Sequence, residues 1–388
     1  MSLFRRTLQF FFVVVAISSC TGRQQPVTPA GQNEQVPEVF RMPFDTMKDN
    51  TASFIAGKAF DLKGCFSFLD TLMSWNKYSF TMDSGFVFLD TSRFVKMSQW
   101  ADSEIKNRHD SVVLFYPFGG PDFLNANIFY PGASAYVLIG LEPVGELPDV
   151  CGMTPSMAEE YMHDVWVSLK DLFLRSYFIT GNMISALKRN EVNGALPVIS
   201  LFIKRRGYNI VAVNKMGIDS TGNWQFADSL RNARVASAGV KIDFACDTGR
   251  RLQSVFYFRA DISDEGLKKN TPFNAYLQSL PPCHTYLKAA SYLMHGKDFS
   301  MIRNLVLDKS ISILQDDSGI AFKYFDRNLW NIKLYGRYSR PGKEFSWINE
   351  TDLAEAYRDT SIKPVPFTLG YNWRTRAINL LYAEKKQN

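Results

Sequence analysis

What the 388-residue chain lacks narrows its chemistry first. It has no G-x-G-x-x-G, and no G-x-x-x-x-G-K followed by Ser or Thr, so neither glycine-rich loop that cradles phosphates is present. It has no G-x-S-x-G and no H-E-x-x-H, which removes the nucleophile elbow and the helix-borne zinc pair. Histidine is scarce: His109, His163, His284 and His295 stand singly and no C-x-x-C accompanies them, so no metal site is expected. No motif implies a cofactor. An excess of one charge is also missing. The net charge of +6 drops to +4 if Arg5 and Arg6 are set aside with a leader, too small an excess to expect nucleic acid as a partner. The longest basic cluster, Lys204-Arg205-Arg206, reads as a solvated turn before a strand. Finally, no run of about 20 apolar residues is found, the length a helix needs to span a bilayer.

The composition that is present suits a large core. Hydrophobic residues make up 46% and charged residues 21%, and 31 Phe dominate an aromatic fraction of 14%. Phenylalanine has no polar handle, so its excess points inward rather than to a sugar-stacking surface. The length allows one large domain or two to three ordinary ones.

The first residues read as a secretory leader. Arg5 and Arg6 form its positive end, Leu8 to Ile17 its apolar stretch, and Ser18 and Ser19 its small residues. Ten residues of helix span only about 15 Å, half the bilayer core. Ile17-Ser18-Ser19-Cys20 resembles the lipobox of bacterial lipoproteins, in which an aliphatic and two small residues precede the cysteine. The resemblance implies cleavage before Cys20 and lipidation of its thiol, hence membrane lipid as a partner. Residues 1–19 are then a signal peptide and residues 20–38 a lipidated cysteine with a tether, since Thr21 to Glu38 is rich in Gln, Pro and Gly and poor in large apolar residues. No acid directly follows Cys20, which favours an outer-membrane location facing the periplasm over the cell surface. In that oxidising setting Cys65, Cys151, Cys246 and Cys283 allow two disulfides in three pairings, or buried thiols.

Residues 39–388 read as a single folded region of α+β class, with a mixed or antiparallel sheet flanked by helices. Helical spacing marks Phe54 to Ala59, Phe66 to Trp75 and Thr91 to Ile105. Short apolar runs bounded by Pro and Gly mark strands at Ser111 to Tyr116 and Ala135 to Gly140. Ser156 with Glu159 forms a capping box, after which Met157, Tyr161, Val165, Leu169 and Leu172 share a helix face. Helical character continues through Met183 to Leu187. Further strands are expected at Tyr208 to Val213, Val240 to Ala245, Val255 to Ala260, Ile320 to Phe325 and Trp330 to Tyr338. Helices are expected from Phe273 to Leu307 and from Thr351 to Arg358, and Ala377 to Tyr382 docks back on the domain. Ser176-Tyr177-Phe178 with Gly181 matches Ser291-Tyr292-Leu293 with Gly296, and Gly207 matches Gly319, each before a strand. The order is consistent with two related halves, residues 106–220 and 235–340.

Candidate chemistry sits after the strands. Gly119-Gly120-Pro121-Asp122 follows the first, and Leu141-Glu142-Pro143 follows the second. Gly, Pro and acids at strand ends commonly carry function, although Asp122 also suits a helix cap. Gln315-Asp316-Asp317-Ser318-Gly319 offers paired acids without the alternation of a calcium loop; a solvated turn is its plain reading. The candidate pocket loops are therefore Gly119, Gly120, Asp122, Glu142 and Asp317, and the weak catalytic candidates are Asp122, Glu142, Asp316 and Asp317. Cys283-His284 is adjacent in sequence, which rarely gives catalytic geometry. The segments Phe115 to Gly145 and Leu314 to Phe325 resemble a group of bacterial envelope proteins through these loops. No activity attaches to that group, so no functional residue carries over. The expectation is a membrane-anchored binding or accessory protein, with an envelope hydrolase using paired carboxylates on glycan or peptide as the alternative, and a structural lipoprotein third.

Overall fold

A computed structural model of the chain describes residues 44–175, 192–230, 235–246, 251–373 and 377–386. Cys20, the leader and the expected tether lie outside the described residues, as do the helical segment 183–187 and the repeat match at 176–181.

The α+β expectation holds: ten strands form one mixed, open sheet with helices on both faces. Its centre is a block of five parallel strands in the order β6 (Leu252–Arg259), β2 (Ala135–Gly140), β1 (Val113–Tyr116), β7 (Cys283–Leu287) and β8 (Ser310–Gln315). Antiparallel strands extend both sides. Beyond β6 lie β5 (Ser237–Ala245), β3 (Asn209–Ile218) and β4 (Trp224–Phe226). Beyond β8 lie β10 (Asn379–Lys385) and β9 (Trp330–Gly336).

Helices cover the sheet because parallel strands are joined by crossovers that must pack on a face. On one face α7 (Asp264–Lys269), α8 (Thr271–Gln278) and α9 (Ser300–Lys309) pack on a core that includes Phe115, Ile139, Phe258, Leu287 and Ile313. On the other face α4 (Phe123–Phe129) sets Phe123 against Tyr136 and Phe244, and Phe129 against Tyr286. Trp100 of α3 (Val95–Glu104) closes over Phe129. Outside these lie α1 (Thr46–Ala56), α2 (Met73–Leu89), α5 (Pro155–Arg175) and α6 (Ala195–Arg205); α10 is Thr351–Ala356. Among the described residues no helix is long and apolar enough to cross a membrane.

Several local expectations are corrected. The stretch from Phe273 to Leu307 is not one helical region; β7 lies inside it, and the following strand is β8, not Ile320 to Phe325. Residues 322–324 form only a short 3-10 turn, so Gly319 precedes no strand and its match to Gly207 does not hold. Strands from residues 106–220 and 235–340 share the one sheet, where β6 pairs with β2 and β1 with β7. Helix α5 starts at Pro155, where the Thr154 hydroxyl, not Ser156, accepts the Met157 amide. Met157 is exposed, whereas Tyr161, Val165, Leu169 and Leu172 are buried. The basic cluster is no solvated turn, because Lys204 is buried and pairs with Asp49 at 2.8 Å.

One of the three cysteine pairings forms in part: Cys65 is bonded to Cys151, tying the turn after α1 to the segment before α5. Cys283 remains a buried thiol on β7, pushed up to about 11 by burial.

Candidate functional site

The five parallel strands end on one edge of the sheet, and β1 is where the chain order reverses. From β1 the chain crosses through α4 to β2 on one side, whereas β7 arrives on the other. Ligands of open α/β sheets bind in the crevice that such a reversal leaves outside the carboxyl ends of the strands. A cavity of about 180 Å³ occupies that position, lined from the ends of β1, β2, β6 and β7.

Its floor is an ion pair. Lys288, the first residue after β7, donates to the Asp122 carboxylate at 2.5 Å, with both side chains almost wholly buried. Asp122 also caps α4, accepting the Asn125 amide N–H at 3.2 Å and its side-chain N–H at 2.8 Å, and the Tyr116 hydroxyl lies at 3.3 Å. Burial holds the Lys288 ammonium below its ordinary value, opposed chiefly by Asp122. The buried guanidinium of Arg93, lowered to about 10 by burial, adds a second positive charge near Asp122.

One wall is Glu142, two residues after β2. The Tyr257 hydroxyl donates to its backbone carbonyl at 2.8 Å and faces its carboxylate at 3.3 Å. Burial raises the carboxyl above the ordinary Glu range, and its backbone and Tyr257 hydrogen bonds oppose that rise. The two glycines of the β1 loop make the approach possible. Gly120 is left-handed at φ +51°, and a Cβ there would lie 3.3 Å from Glu142 Oε2; a Cβ on Gly119 would lie 2.6 Å from the Tyr116 ring. The remaining lining includes Phe118, Ile139, Ile262, Leu293 and Phe299, so the pocket offers one wall for polar recognition and another for apolar packing.

The loop after β7 is strained. Ala289, Ser291 and Tyr292 have φ of +51°, +53° and +56°, a region non-glycine residues seldom occupy. The turn after β8 holds it there. Asp316 accepts the Ala289 N–H at 3.0 Å, Ser318 Oγ accepts that of Ala290 at 2.7 Å, and the Ser318 carbonyl accepts that of Tyr292 at 3.1 Å. The Tyr371 hydroxyl, donating to the Ala289 carbonyl at 2.8 Å, adds a further brace.

Of the four acids expected from sequence, the structure brings Asp122 and Glu142 to the cavity and leaves Asp316 and Asp317 outside it. The turn that holds the latter two is buried, not solvated: Asp316 and Asp317 are 5% and 6% exposed. Asp317 accepts from Tyr292 and Asn379 and is pushed up to about 7, first by burial and then by Asp316. Together with Glu350, raised to about 8 mainly by burial, it borders a separate cavity of about 10 Å³. Sequence reasoning missed Lys288, Arg93, Tyr257 and Glu350. The signal for Lys288 was its place directly after an apolar run, hidden because Lys288-Ala289-Ala290 reads as helix. Cys283 and His284 face no catalytic partner in the crevice; His284 Nδ1 lies 2.7 Å from Ser312 Oγ, and burial lowers the ring to about 4. Among the described residues no cluster of His, Cys, Asp and Glu fits a metal ion.

No family model, curated protein or solved structure matches the chain.

Proposed function

We propose that this chain is a lipid-anchored protein of the bacterial cell envelope that binds a small organic molecule in the crevice at the ends of β1, β2, β6 and β7. The anchor reading rests on the lipobox resemblance at Cys20 and the leader before it. The binding reading rests on one observation above the others: the cavity at the chain reversal, with a buried acid, Glu142, on its wall. A carboxyl there recognises a ligand hydroxyl or amine, and a ligand group satisfying it offsets the cost of burying it. The apolar wall from Phe118, Ile262 and Phe299 suits the ring or chain that carries that group.

Asp122 supports binding better than hydrolysis. Glycoside hydrolysis needs two carboxyls free to exchange protons across the scissile bond. Asp122 is instead occupied by Lys288 and by the cap of α4, and the third carboxyl of the lining, Asp261, is exposed and accepts the Ser263 amide at 2.9 Å; among the described residues Glu142 is the buried cavity acid with no cationic partner. Its hydrogen bonds are to neutral groups.

The test is a thermal-shift panel of nucleosides, monosaccharides, amino sugars and amino alcohols at millimolar concentration. One class is expected to raise Tm by about 2 °C or more, and Glu142→Gln to abolish the rise. A panel without effect, or a shift unchanged in Glu142→Gln, contradicts the reading.

A further inference from the structure

Helix α2 carries apolar side chains on two opposite faces. Trp75, Tyr78, Met82, Phe86 and Leu89 point into the domain and are buried. Met73, Phe80 and Val87 recur every seven residues on the far side at 88%, 73% and 60% exposure, with Phe88 beside them at 63%. Seven residues make nearly two full turns, so the three lie along one line of roughly 21 Å. Among the described residues no other helix leaves a large apolar side chain more than half exposed. A helix that is apolar on both faces belongs in apolar surroundings, and among the described residues none covers this stripe.

We infer that this face of α2 rests in the interface of the membrane that holds the lipid anchor. The inference depends on the Cys20 reading. Cys20 lies 25 residues before Asp45, the N-cap of α1. The Gln-, Pro- and Gly-rich composition of residues 21–38 is that of a tether, and a flexible chain of 25 residues would span roughly 25–30 Å, comparable to a radius of gyration of roughly 20 Å for a domain of this size. A lipid on Cys20 thus keeps the domain surface within reach of the bilayer at high effective concentration, and a short stripe suffices to orient it. A second copy of the chain fits less well. A helix–helix seam needs apolar residues at two positions per heptad, and here the alternate positions are Lys77, Ser84 and Thr91. Polar residues beside a row of large apolar ones, Lys77 on one flank and Asp83, paired with Arg205, on the other, match a helix lying flat in an interface.

The experiment places the photo-crosslinking residue p-benzoylphenylalanine at position 80 of the full-length chain in cells, with position 226 on β4 as an exposed control. Phospholipid adducts are expected at position 80 and about tenfold fewer at position 226. A cross-link to a second copy, or the absence of a lipid adduct at position 80, overturns the inference. Radiolabelled palmitate on the same samples, compared with Cys20→Ala, reads the anchor separately. Label on Cys20 without an adduct at position 80 rejects the docking alone. An adduct without label rejects the anchor reading, and with it the inference as stated, while leaving the contact of α2 with lipid.

Discussion

The pair of Lys288 and Asp122 places two charges where burial is expensive. Removing one partner leaves the other uncompensated, so Lys288→Met is expected to cost about 3–5 kcal/mol in urea unfolding. Adding Asp122→Asn to that variant is expected to recover part of the loss. Strict additivity of the two changes would show that the pair is not coupled. Glu350 and Asp317 make the opposite kind of statement. Burial raises both carboxyls, to about 8 and about 7, so the folded state holds protons that the unfolded chain releases at lower pH. Their contribution to stability is therefore greatest in acid and is lost as pH rises through those values. Tm should fall between about pH 4 and about pH 8 in calorimetry and then level off, and Glu350→Gln should flatten that fall and raise Tm at the alkaline end by a few degrees. A Glu350→Gln profile parallel to the wild type would show that the carboxyl is ionised in the fold at neutral pH. None of these three roles was legible from residue type. Asp122 was readable as a cap, yet its cation lies 166 positions away.

The elements divide by how they announce themselves. β2 matched its sequence pattern residue for residue because Ala135 to Gly140 is an apolar run ended by Pro and Gly signals. β7 escaped because a strand buried on both faces need not alternate, and Cys283-His284-Thr285-Tyr286-Leu287 carries polar side chains inward. These are satisfied by the neighbouring strand: Thr285 Oγ1 meets Ser310 Oγ at 2.6 Å and His284 meets Ser312. β8 was missed for a different reason, since α9 ends at Lys309 and the strand begins at Ser310 with no glycine or proline between them. The strained loop 289–292 is a conflict between local preference and fold, resolved by the turn at residues 316–318, and such conflicts collect at functional sites. The Cys65–Cys151 bond spans a separation of 86 residues and ties down the outer elements. Cys151→Ser is expected to lose about 2–5 kcal/mol, seen as a lower denaturation midpoint. An unchanged midpoint would mean that packing alone holds that corner.

At the scale of the whole molecule, composition and patterning made the α+β class legible, while strand order was not, because sequence does not record which strands become neighbours. The pocket follows from that order. Residues 116–122, 140–142, 260–262 and 288–291 converge only because β6, β2, β1 and β7 run parallel side by side. Two of the expected loops, after β1 and after β2, were identified from sequence since Gly and Pro mark them. The third wall, after β7, was not, since its residues favour helix. The most direct measurement is mass spectrometry of the small molecules released on denaturing the protein purified from its native cells, beside Glu142→Gln prepared identically. A molecule bearing a hydroxyl or amine is expected, bound in near-stoichiometric amount by the wild type and missing from the variant. If the two preparations release the same molecules in the same amounts, the crevice is not the binding site proposed here.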